Sequence, residues 1–118
     1  MNKEVRKYLI EGDRPLTVLP ELATSIGLEK AIILQQLHWL LRDKRNGKVL
    51  RGRRGKWIYN TYKQWKEFFP WMSERVLMRH FTQLEKGWGR FEPMIESCQP
   101  DYPMSTRKYY QVIGITYV

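Results

Sequence analysis

The chain has 118 residues, 42% of them hydrophobic and 28% charged, the balance of one globular domain large enough to bury a core. No long apolar run marks a membrane span, and the charged start MNKEVRK lacks the apolar stretch of a secretory leader, so a cytoplasmic protein is expected. A net charge of +9 and a pI near 9.9 point to a polyanionic partner, while the single cysteine, Cys98, excludes an internal disulfide and a multi-cysteine zinc module.

Residues 1–17 read as a lead-in segment, with a small apolar knot at Tyr8, Leu9 and Ile10, and residues 18–118 as one domain. Pro20 opens a short helix that Gly27 stops, because proline is pre-set for the first helical position and glycine ends helices. The next helix, over 28–42, carries Ile33, Leu34, Leu37, Leu40 and Leu41, joined by Ala31 and Trp39, on a broad apolar face. It is expected to be the element against which the others pack. His38 here and His80 further on lack the spacing of metal ligands, so both read as partly buried or surface histidines, and no metal or cofactor is expected.

Asn46-Gly47 closes this helix, and residues 48–59 read as a hairpin whose turn is bounded by Gly52 and Gly55. Trp57 and Tyr59 fall on one face of its second strand and Ile58 on the other. Residues 42–56 hold eight lysines and arginines against one acid, Asp43, which is most of the chain's excess charge. Arginines between glycines bring backbone and guanidinium close to phosphates, so Arg51, Arg53, Arg54 and Lys56 are candidate phosphate contacts. A solvated loop that adds only solubility, or a site for acidic lipid, has the same composition.

Residues 61–86 form the centre of the sequence. Thr61 and Gln64 make a capping box, and Trp65 and Phe69 fall on one face of a short helix that Pro70 ends. Ser73 then caps a second helix, with Glu74 in its first turn where the helix dipole favours a carboxylate. At about 100° per residue, Leu77, Phe81 and Leu84, flanked by Val76 and His80, face inward. Arg75, Met78, Arg79, Thr82 and Lys86 face outward. That outer face suits a DNA major groove, with Arg75 and Arg79 for guanine edges, Met78 and Thr82 for a thymine methyl or a phosphate, and Lys86 for a phosphate. An ordinary amphipathic surface helix has the same pattern, so the rest of the chain decides between them.

Two strands follow the break at 87–89. Residues 90–97 alternate imperfectly around Pro93, and 107–116 alternate through Tyr109, Gln111, Ile113 and Thr116, with a proline-containing turn at 98–106 between them. A strand before residue 61 would complete a three-stranded sheet. The expected fold is therefore α+β, a winged helix-turn-helix in which a helical core carries a small antiparallel sheet, the wing. The wing turn, with Asp101 and the nearby Glu92 and Glu96, is less basic than a phosphate-gripping wing should be, which leaves that work to Arg107 and Lys108 at the strand base or to the basic hairpin.

The runs VLPELATSIGLEKAIILQQLHWLL, KWIYNTYKQWKEFFPWMSERVLMRHFTQLEK and STRKYY, in this order, resemble the N-terminal winged-helix domain of bacteriophage replication initiators, also called replisome organisers. The likeness covers residues 18–110. It implies origin-type binding of double-stranded DNA and a role in replication among other replication proteins, with transcriptional regulation as the alternative use of the same geometry. A homodimer on paired half-sites is left open, since no heptad extension supplies an interface.

Two further function classes compete with duplex binding. One is a protein-interaction module presenting Trp71, Met72 and Met78 as an apolar patch; the other is a single-strand binder stacking bases on Trp57 and Tyr59. No catalytic constellation is present in recognisable spacing, so an enzyme is not expected.

Overall fold

In the computed structural model the described residues are 15–99 and 107–117. The apolar knot at residues 8–10 and most of the 98–106 turn, including Asp101, lie outside them. Helix α1 spans Pro20–Ile26 and α2 spans Leu28–Arg42, as expected from Pro20 and Gly27. Gly27, at φ 92°, serves both helices: its N–H donates to the Ala23 carbonyl at 2.9 Å and its own carbonyl accepts from Ala31 N at 3.0 Å. Ala31, Ile33, Leu37 and Leu41 are the buried stripe of α2. Trp39, expected on that face, is instead 44% exposed, with the Arg42 guanidinium 5.4 Å from its ring.

The chain then leaves the helices as a hairpin, β1 (Lys48–Val49) paired antiparallel with β2 (Lys56–Trp57), Lys48 facing Trp57 and Val49 facing Lys56. Helix α3 (Tyr62–Phe68) opens on the expected capping box: Gln64 N donates to Thr61 Oγ1 at 3.1 Å and Thr61 N to Gln64 Oε1 at 2.9 Å. After the turn at Pro70, Ser73 caps α4 (Glu74–Lys86) by accepting from Val76 N at 3.1 Å. Lys66 pins that turn by donating to the carbonyls of Pro70 (3.1 Å) and Met72 (2.7 Å). The pinned turn tucks Met72 inward to 1% exposure, which corrects the expected Trp71, Met72 and Met78 patch.

Strand β3 is Ile95–Cys98 rather than 90–97, and β4 is Tyr109–Val112 rather than 107–116. Residues 88–91 close into a turn instead of extending, with reciprocal bonds between Trp88 and Phe91, and Pro93 stays outside the ladder. Gly87 permits this: at φ 85° a Cβ there would lie 2.7 Å from the Phe91 carbonyl oxygen. Along β4 the expected alternation fails, because Tyr109, Tyr110 and Gln111 are all buried. Tyr110 meets the helices, Tyr109 joins a second cluster of Leu50, Trp57 and Cys98 on the other side, and Gln111 donates to Glu96 and the Arg54 carbonyl.

Paired hydrogen bonds between Ile58 and Tyr110, 3.0 and 2.9 Å, link the two hairpins, so a residue before α3 does reach the β3–β4 pair, by one bridge. The architecture among the described residues is thus α+β, four helices with two small antiparallel sheets. Phe81 of α4 lies at its centre, 5.3 Å from the Trp65 ring and 5.1 Å from that of Tyr110, and burying such a side chain stabilises by about 1.5–3 kcal/mol. No helix among the described residues is long and apolar enough to cross a membrane.

Candidate nucleic-acid interface

Helix α4 divides as its periodicity requires. Leu77, His80, Phe81 and Leu84 are buried, and Arg75, Met78, Arg79, Thr82 and Lys86 are exposed. The exposed five follow one side over roughly 16 Å of axis, at 1.5 Å per residue. Thr82 donates its hydroxyl to the Met78 carbonyl at 2.8 Å, so toward a ligand it acts as an acceptor or through its methyl group.

Two contacts fix how α4 sits on α2. His80 Nε2 lies 3.0 Å from Glu29 Oε1, tying the first turn of α2 to the middle of α4. Lys30 stands close enough to Arg79 that, after burial, repulsion from Arg79 lowers its pKa. Lys30 is half-buried, with its ammonium 5.2 Å from the Trp88 ring, and it adds positive charge beside the stripe from a second helix. Sequence reading missed Lys30 because only tertiary packing brings it beside Arg79.

At the far end of α4, Glu85 accepts from Lys108 Nζ at 3.2 Å and from the Ser97 hydroxyl. Lys108 therefore offers a partly neutralised charge beside the helix. Arg107 lies with its guanidinium 5.3 Å from the Tyr59 ring.

The basic hairpin occupies a different place. Its base is held at the C-terminal end of α2, where Lys56 donates to the carbonyls of Asp43 and Asn46, both at 3.0 Å. His80 of α4 bonds Glu29 in the first turn of α2, so the length of α2, about 22 Å for 15 residues, separates these two attachments. Since Ile58 pairs antiparallel with Tyr110, the tip also points toward Gly114, away from Arg107 and Lys108. Arg51, Arg53 and Arg54 are exposed there. Lys56 corrects the expected contact set: at 6% exposure its charge satisfies the carbonyls of the C-cap Asp43 and of Asn46 in the following turn, and is withheld from phosphate. Arg45 is likewise engaged, with Nε and Nη2 both on the Asp43 carboxylate, whose pKa it holds at about 2.

Trp57 is 4% exposed, so it offers no face for stacking, whereas Tyr59 is half-buried. Among the described residues no group of three or more His, Cys, Asp or Glu is arranged to hold a metal ion. Comparisons with protein-family models, with curated proteins and with solved structures give no match.

Proposed function

We propose that this chain binds double-stranded DNA as a winged helix-turn-helix, with α4 in the major groove. The observation that carries the reading is the division of α4: one face is locked into the core around Phe81, and the other presents Arg75, Met78, Arg79, Thr82 and Lys86, with Lys30 alongside. The order α2, the bridging residue Ile58, α3, α4, β3 and β4 supports this reading, with α1 and the basic hairpin as additions to it. Arg75 and Arg79 take guanine edges, Lys86, Arg107 and Lys108 take phosphates near α4, and Arg51, Arg53 and Arg54 take phosphates further along the duplex. The resemblance to phage replication initiators makes replication the process we propose, with transcriptional regulation as the alternative. Burial of Met72 weighs against an apolar docking patch at the α3–α4 turn.

Selection of binding sites from a random duplex pool, run beside an Arg75→Ala/Arg79→Ala variant, tests this. An enriched motif that vanishes in the variant is the expected result, and Arg79→Ala alone should lose about 1–3 kcal/mol of discrimination between the motif and random duplex. No motif, or one that survives in the double variant, overturns the assignment of α4.

A further inference from the structure

Side chains alternate across a strand, and Tyr110 faces Phe81 and the helices, so Tyr109 faces away from them. On that outer side a cleft of about 360 Å³ opens between the loop leading into β1, the segment following β2, and β4. Its lining includes Arg45, Asn46, Lys48, Tyr59, Asn60 and Tyr109, and no carboxylate. The floor includes Trp57, whose buried Nε1 has no acceptor among the described residues.

This combination is specific in its chemistry. Tyr59 is the half-buried aromatic, its ring 5.5 Å from that of Tyr109 on one side and with the Arg107 guanidinium 5.3 Å from its centre. Two carboxamides can pair with donor and acceptor edges, and the exposed Lys48 supplies positive charge at the rim, beside the Arg45–Asp43 ion pair. The volume is at the lower end of the range for small-molecule sites, about 300–1,000 Å³, which suits one nucleotide and excludes a duplex. A base reaches such a cleft only when it is unpaired.

We propose that this cleft holds a nucleotide of a single-stranded nucleic acid, the base against Tyr59 between Asn46 and Asn60 and the flanking phosphate on Lys48. The site lies on the opposite side of the sheet from α4, so it operates independently of duplex reading. A chain built this way holds a strand and a duplex at once and prefers a duplex carrying a single-stranded extension to either part alone.

The test is fluorescence anisotropy with a labelled oligothymidine of about 12 nucleotides, in the presence of excess unlabelled random duplex. Lys48→Glu and Tyr59→Ala are each expected to weaken oligothymidine binding about tenfold, the scale of one lost stacked base or phosphate contact, and to leave duplex affinity within about a factor of two. Arg75→Ala/Arg79→Ala should do the reverse. Lys48 is an exposed strand residue, so its variant retains the fold and decides the matter even where Tyr59→Ala is unstable. Three outcomes overturn the proposal: no oligothymidine binding, equal loss of strand and duplex binding in the α4 variant, or displacement of the oligothymidine by polyglutamate as readily as by oligonucleotide of equal charge. Loss of duplex binding in every variant with oligothymidine binding intact would count against α4 and leave the cleft standing.

Discussion

Helix α4 and the β1–β2 hairpin are both cationic, yet they hold their charge in opposite ways. On α4 each outward arginine stands within two residues of a buried one, Leu77 or His80, so the core around Phe81 fixes where the guanidinium stems begin. On the hairpin, two-residue strands and glycine turns carry Arg51, Arg53 and Arg54 outward, and the buried Lys56 at their base does the anchoring. The densest cluster of charge in the sequence is thus neither the most rigidly positioned nor the nearest to the outer face of α4. Dense charge supports affinity for any polyanion; charge at fixed spacing can select one.

That contrast can be broken most directly at Lys56. Lys56→Met keeps the buried volume but removes the donor from the carbonyls of Asp43 and Asn46, and a loss of about 1–3 kcal/mol in urea unfolding is expected. Unchanged stability would mean the ammonium is not the anchor. The tip should behave differently: Arg53→Ala with Arg54→Ala is expected to change stability by no more than about 0.5 kcal/mol. The same pair should weaken binding to all duplexes and flatten the dependence of log K on log salt by about two units, one per lost phosphate contact. An unchanged slope removes the tip from the interface.

The smallest expected effect concerns His38, which shares a 2.9 Å hydrogen bond with the Tyr117 hydroxyl near the hairpin end of α2. Burial, and then repulsion from Arg42, lower its pKa below the usual 6.5. The unfolded chain therefore takes up the proton first. The contribution is fully present above pH 6.5 and is lost as pH falls through 6.5 toward the lower folded value. Urea midpoints compared at about pH 7.5 and about pH 5 should show the decline, and His38→Gln should reduce it. A His38→Gln variant with the full decline would assign it to other groups.

The features legible in the sequence were those made by neighbours in the chain. The Thr61–Gln64 capping box, the Ser73 cap, the Gly27 stop and the inward face of α4 all depend on residues within about a turn of one another, and each stands where local spacing puts it. Strand limits were less legible, because β3 begins only where Ile95 meets Val112, after a turn set by a contact between Gly87 and Phe91. Lys56, Met72 and Lys30 were misread or missed for the same reason. Their surroundings are built by carbonyls and side chains distant in sequence, or by a turn whose pinning lysine carries no sequence signature.

The bridge between Ile58 and Tyr110 has a hereditary consequence. Codons 51–54 encode a tip that lies outside the cluster around Phe81, so they can gain or lose charge without altering a residue that supports α4. On the proposed reading, strength of grip and choice of address are separate targets for selection. A lineage can tune the first to the salt of its surroundings while the second stays fixed.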